Sequence, residues 1–136
     1  MFEISKEFAF SASHQLTHLN PDHPCARLHG HNYVVRVTLK GEMLDERGFV
    51  YDYRELDFFK QFIEDEIDHR HLNDVMAKIV GQENASRYTT AEHLAQFFFG
   101  WIFETGDVPE LYSVSVSETP KTWATYTRTG FTSDYA

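Results

Sequence analysis

Two long stretches of strict alternation constrain this chain more than any other feature. In the first, Phe2, Ile4, Phe8, Phe10 and Ala12 fall on one face, interrupted only by Lys6, and His14 continues the phase. In the second, which runs from about His29 to Met43, one face carries His29, His31, Tyr33, Val35, Val37 and Leu39. Asn32, Arg36, Thr38 and Lys40 take the other. A period of two is the pattern of a half-buried strand, since successive side chains point to opposite faces of a sheet. The first stretch ends and the second begins with histidine on the apolar side, so an antiparallel pairing of the two gathers imidazoles at one end.

The remaining pattern extends this pair into an α+β domain. "DERG" at Asp45–Gly48 reads as a turn and "FVYDY" as a short extended piece. Asp52 with Glu55 suggests a reciprocal cap, and Leu56, Phe59, Ile63 and Ile67 then recur at helical spacing until "DHRHLND". A polar connection follows. Thr89 and Glu92 suggest a second cap, and Ala91, Leu94, Ala95, Phe98, Trp101 and Ile102 form a second helical stripe stopped by Gly106. The run "FFFGW" at Phe97–Trp101 belongs to that helix as core. Leu111–Thr119 and roughly Trp123–Arg128, separated by Pro120, read as two further strands. The expected order is ββααββ: an antiparallel four-stranded sheet with two helices packed on one face. No repeat or flexible linker divides residues 1–136, so a single domain is expected.

The formal charge of −9 argues against a nucleic-acid or anionic-membrane surface, which needs clustered Lys and Arg. A small phosphorylated ligand needs only a few local cations and stays possible. One cysteine cannot form an intramolecular disulfide. With no secretory leader pattern and no membrane-length apolar run, a soluble cytoplasmic protein is expected.

The chemistry concentrates in "CARLHGHNY". His29 and His31 aim the same way from one strand, with Gly30 adding no bulk between them. If the two alternating strands are neighbours, His14 supplies a third imidazole. Three neutral imidazoles with an open position suit a catalytic zinc ion, although His-x-His pairs on strands also bond to backbone or water. His18, His23, His71 and His93 read as loop or surface residues. Cys25 admits three readings: an apolar filler, a fourth ligand closing a zinc site, or an ionisable base beside a metal. Asp68 and His69 could form a proton-transfer dyad only if the helix has unwound there, because adjacent helical residues diverge by about 100°. Otherwise "EDEIDHRH" is a solvated charge run. Glu118 is in phase with Tyr112, Val114 and Val116, so it either sits at an exposed strand end or meets a ligand. Glycine-rich phosphate loops and nucleophile-elbow motifs are absent.

The ordered motifs "FSASHQL", "CARLHGHNY", "LDFFK", "IDHRHLND", "TTAEHLA" and "SETPKTWATY" resemble those of the 6-pyruvoyl-tetrahydropterin synthase family, over nearly the whole chain. The resemblance implies a tunnelling-fold (T-fold) protomer whose sheets join around a pore, usually in homo-hexamers. It implies zinc on His14, His29 and His31, with Cys25 as catalytic base and Asp68 and His69 in the proton relay. Glu118 would anchor a pterin ring and share in the relay, and Thr90 would lie near the pterin. The three residues between Cys25 and His29 are similar to the spacing of the bacterial 6-carboxytetrahydropterin synthase branch, which serves queuosine formation. The implied substrate is 7,8-dihydroneopterin triphosphate, converted to 6-carboxy-5,6,7,8-tetrahydropterin, acetaldehyde and triphosphate. Arg27, Lys6 and Arg70 are candidate triphosphate cations. The alternatives are a 6-pyruvoyl product or a non-enzymatic zinc module closed by Cys25. The segment "MAKIVGQENASRYTT" is longer than a compact member would need.

Overall fold

A computed structural model of the chain describes residues 1–130. The two alternating stretches form β1 (Phe2–His14) and β2 (His29–Gly41), paired antiparallel along their full length. A two-residue strand, β3 (Arg70–His71), lies parallel to the end of β1. β4 (Leu111–Ser117) pairs antiparallel with β2, and β5 (Ala124–Thr127) closes the other edge. The spatial order is β3-β1-β2-β4-β5.

Three helices cover one face: α1 (Asp57–Phe62), α2 (Leu72–Val80) and α3 (Ala91–Thr105). The class is α+β, but the expected four-stranded antiparallel sheet with ββααββ order is incorrect. The sheet has five strands and is mixed. β3 is too short to show a period, and only its partner on β1 makes it a strand. α2 lies where a polar connection was expected. Its buried residues, Leu72 and Met76, are one turn apart, and Val75, Ala77 and Val80 pack beside them against the core, with Asn73, Asp74 and Lys78 between.

The core follows from the alternation. Phe8 and Phe10 of β1, with Tyr33, Val35, Val37 and Leu39 of β2, meet Val114 and Val116 of β4 on the covered face. Against them pack Leu56, Phe59, Ile63, Leu94, Phe98 and Ile102. Phe59 sets its edge on Phe8 at 5.1 Å between ring centroids, and Phe98 does the same on Phe10 at 6.0 Å. Each such side chain contributes about 1.5–3 kcal/mol when buried. A bulge between Thr38 and Leu39 turns Tyr112 out of phase, and its ring receives Lys40 at 3.8 Å.

Two local departures matter for function. Asp52 does cap, accepting from the Arg54 N–H at 3.0 Å, but it opens a 3₁₀ turn at Tyr53–Leu56 that precedes α1. At its far end the helix widens into a π turn over Ile63–Ile67, closed by the Asp68 N–H on the Ile63 carbonyl at 2.8 Å. π turns often mark functional sites. This one ends the helix in front of Asp68, whose backbone is extended (φ −63°, ψ 134°).

Candidate metal centre and its neighbours

Pairing β1 with β2 sets His14 opposite His29 and Ala12 opposite His31. Residues opposite each other share a face, so the three imidazoles meet at one end of the sheet. Their centroids are 4.5 Å (His14–His29), 5.2 Å (His14–His31) and 4.9 Å (His29–His31) apart. One nitrogen from each lies within 4.8 Å of the other two.

Backbone carbonyls set two of the tautomers. His14 Nδ1 donates to the Thr89 carbonyl at 3.0 Å, and His29 Nδ1 donates to the Arg27 carbonyl at 2.6 Å. Each bond leaves Nε2 as the lone-pair nitrogen, the usual arrangement behind a metal-bound histidine. The Nε2 atoms of His14 and His31 are buried without a hydrogen-bond partner among the described residues. Burial, seconded by the neighbouring imidazoles and opposed by the Thr89 bond, pushes the His14 pKa down to about 4. Burial and His29 lower that of His31 as well. Three imidazoles with convergent ring nitrogens, His14 buried and His29 and His31 half-buried, fit a metal ion.

Cys25 occupies a 3₁₀ turn, Pro24–Ala26, and is half-buried. Its N–H is accepted by His23 Nδ1 at 3.0 Å, and its carbonyl accepts from the Leu16 N–H at 2.9 Å. Among the described residues the metal-competent group contains only histidines, and the Cys25 sulfur is outside it.

Glu118 follows β4 directly, and its Oε2 stands 3.7 Å from His31 Nε2. Burial and then Glu92 raise its pKa, offset in part by His29 and the Ala91 N–H at the start of α3. Its side chain is half-buried. Thr90 caps α3, accepting from the His93 N–H at 3.3 Å. The expected cap, Thr89, is one residue too early: it is fully buried, and its hydroxyl donates to the Ser86 carbonyl at 2.9 Å.

Asp68 and His69 do pair, with Asp68 Oδ2 2.9 Å from His69 Nδ1. His69 takes a positive φ of 60°, which turns its ring back toward the preceding carboxylate. The Ser11 N–H donates to Asp68 Oδ1 at 2.9 Å and the Ser11 carbonyl accepts from the His69 N–H at 2.7 Å. The Ser11 bond first, and His69 after it, holds the Asp68 pKa below the ordinary carboxylate value. His69 and His31 line one open cavity of about 460 Å³, together with Ser13, Gly30, Arg70 and His71. Of the histidine cluster only His31 reaches this cavity, and of the dyad only His69.

Lys6 is eight positions before His14 on β1, roughly 26 Å away at strand rise, and it pairs with Asp57 at 3.7 Å. It does not reach this copy's site. Two contributors escaped the sequence reading. Thr89 acts through its carbonyl, which no residue type advertises. Tyr33 continues the His29–His31 face, is 0% exposed, and has no partner for its hydroxyl among the described residues.

A five-stranded sheet covered on one face by helices, with three convergent imidazoles at one end, defines an α+β protein with a candidate metal site. The profile of the family described as 6-pyruvoyl tetrahydropterin synthase matches residues 3–129, and the chain belongs to that family. It is 37% identical over 131 residues to a 6-carboxy-5,6,7,8-tetrahydropterin synthase of Synechocystis, covering 93% of each chain. It is 30% identical over 103 residues to a 6-pyruvoyl tetrahydrobiopterin synthase of Dictyostelium discoideum, covering 75% of this chain and 72% of that one. The fold matches the structure of Caenorhabditis elegans 6-pyruvoyl tetrahydropterin synthase with a TM-score of 0.75 at 28% identity, over 94% and 96% of the two chains. No described helix is long and apolar enough to cross a membrane.

Proposed function

We propose that the protein is a carbon–carbon lyase that converts 7,8-dihydroneopterin triphosphate and water to 6-carboxy-5,6,7,8-tetrahydropterin, acetaldehyde and triphosphate. The observation that carries this reading is the gathering of three imidazoles, two of them with unpartnered Nε2 atoms, with Glu118 beside His31. The similarity to a Synechocystis 6-carboxytetrahydropterin synthase and the three-residue gap between Cys25 and His29 support the 6-carboxy product.

His14, His29 and His31 would hold zinc, which when bound polarises side-chain oxygens of the substrate as a Lewis acid. Cys25 removes and returns the proton on the neighbouring carbon, a role open to it because it is not needed as a ligand. His69, oriented by Asp68, serves the second proton position. Glu118 accepts hydrogen bonds from the pterin's amino and ring N–H groups, beside Thr90 at the helix start. The side chain is oxidised as the ring is reduced, so no external redox cofactor enters. Residues 1–136 act as one catalytic domain, in cytoplasmic homo-hexamers as the family resemblance implies.

The deciding experiment incubates zinc-loaded protein with 7,8-dihydroneopterin triphosphate and identifies the products by mass. Acetaldehyde with the 6-carboxy product is expected. The 6-pyruvoyl product would assign the chain to the branch of its Dictyostelium relative, and an unconsumed substrate would refute both assignments.

A further inference from the structure

Tyr33 is completely enclosed, and its hydroxyl has no hydrogen-bond partner among the described residues. A buried donor without an acceptor is costly and rare, and it points to a partner that the fold keeps close. Three rings hold the side chain in place. Phe10 stacks on the Tyr33 ring at 4.8 Å between centroids, with 13° between the planes. His31 and His14 stand nearly perpendicular to it, at 5.4 Å and 6.2 Å. With no exposed surface the hydroxyl does not reach a ligand, so its partner is a group of the chain itself.

The end of β4 supplies one. Val34 pairs with Ser117, so Tyr33 and Glu118 take the next position across β2 and β4, one step beyond the ladder. Glu118 is in phase with Val116, which puts both side chains on the covered face. The Glu118 side chain is 27% exposed, and its Oε2 is 3.7 Å from His31 Nε2, too long for a hydrogen bond. His14 Nε2 and His31 Nε2 are the other buried atoms on this face without partners. Zinc would engage both, which leaves the Glu118 carboxylate as the acceptor open to the hydroxyl. Each carboxylate oxygen has two lone-pair sites, so a bond from Tyr33 leaves room for the pterin N–H groups. We propose that Tyr33 is a positioning residue whose hydroxyl donates to the Glu118 carboxylate in the metal-loaded protein and sets it for the pterin. The proposal rests on the anchoring role given above to Glu118. It adds a residue that touches neither pterin nor metal.

The test is a double-mutant cycle on zinc-loaded protein with Tyr33→Phe, which removes only the hydroxyl, Glu118→Ala, and both together. Thermal unfolding reads the contact without any ligand. Tyr33→Phe should lower Tm by several degrees where Glu118 is present, because hydrogen bonds to a charged group are the stronger ones. In the Glu118→Ala background the hydroxyl has lost its acceptor, so Tyr33→Phe should leave Tm unchanged or raise it. Calorimetry with pterin, the bare ring, reads the consequence. Tyr33→Phe should weaken binding about tenfold, the equivalent of one net hydrogen bond, and should add nothing to the loss caused by Glu118→Ala. Zinc content, by elemental analysis, should hold in all variants. Additive Tm changes would overturn the proposal, as would wild-type pterin affinity in Tyr33→Phe. An equal loss of affinity with and without Glu118 would also overturn it, since Tyr33 would then act through packing alone. A wild type that does not bind pterin, or a Glu118→Ala variant that binds it as well as the wild type, defeats the anchoring role, while the Tm cycle still decides whether Tyr33 and Glu118 meet.

Discussion

Replacing His14 by Ala tests the proposed metal centre most directly, because His14 is the one candidate ligand contributed by β1. Its Nε2 is buried without a partner while Nδ1 is spent on the Thr89 carbonyl. Outer-shell partners alone change metal affinity by about 10–100-fold, so loss of one of three direct ligands should cost at least ~100-fold. Binding to the folded state stabilises by RT ln(1 + [L]/Kd), about 2.7 kcal/mol at a free zinc concentration 100 times Kd. With an unfolding entropy of about 2.1 cal/mol/K per residue, the 136-residue chain should gain about 9 °C in Tm. At that same concentration a core truncation such as Val37→Ala would keep this gain, but His14→Ala would stand near [L]/Kd of ~1 and gain only roughly 1–2 °C. Each protein is compared with its own zinc-free form, which removes the separate cost of leaving the Thr89 carbonyl without a donor. Differential scanning fluorimetry across a zinc titration makes the measurement. An undiminished zinc-induced shift in His14→Ala would refute the metal assignment and the face-sharing argument behind it.

Three further outcomes are expected. Cys25→Ser should stay zinc-replete, by elemental analysis, and lose roughly 10²–10⁴-fold in turnover, the scale for removing a positioned proton-transfer group; loss of zinc would instead make the thiol a ligand. Glu118→Gln turns an acceptor into a donor against the pterin N–H groups, so calorimetry should show pterin binding weakened at least ~10-fold with zinc unchanged; unaltered affinity would remove Glu118 from the binding site. Asp52, held down to a pKa of about 2 by its bond from the Arg54 side chain and then by the Arg54 N–H, should make stability depend on acid pH. Because its folded pKa lies below the unfolded value, that stabilisation is complete above about pH 4 and is lost as pH falls toward 2. Asp52→Asn should flatten this part of a pH–Tm profile, and an unchanged slope would contradict it.

What the sequence determined by itself were the faces. A period of two over Phe2–His14 and His29–Leu39 states which side chains of each strand share a side, so His29 and His31 were readable as a pair, while His14 joins them only because the two strands are neighbours. The apolar stripes of Leu56–Ile67 and Ala91–Ile102 likewise stated which helix surfaces seek a core. Tertiary structure decided what depends on contacts distant in sequence. β3 is two residues long and is a strand only because Ala12 and Ser13 lie beside it. α2 carries its own apolar stripe in Leu72, Val75, Met76 and Val80, but where it starts is set by the extended segment that β1 holds just before it. The Asp68–His69 dyad forms because a π turn ends the helix and the Ser11 backbone holds the next two residues, neither of which leaves a mark in "EDEIDHRH". The tautomer of His14 is set by a carbonyl 75 residues away, and every residue carries the same carbonyl. Side-chain alternation is a local property of the chain, whereas backbone partners are chosen only when the fold closes.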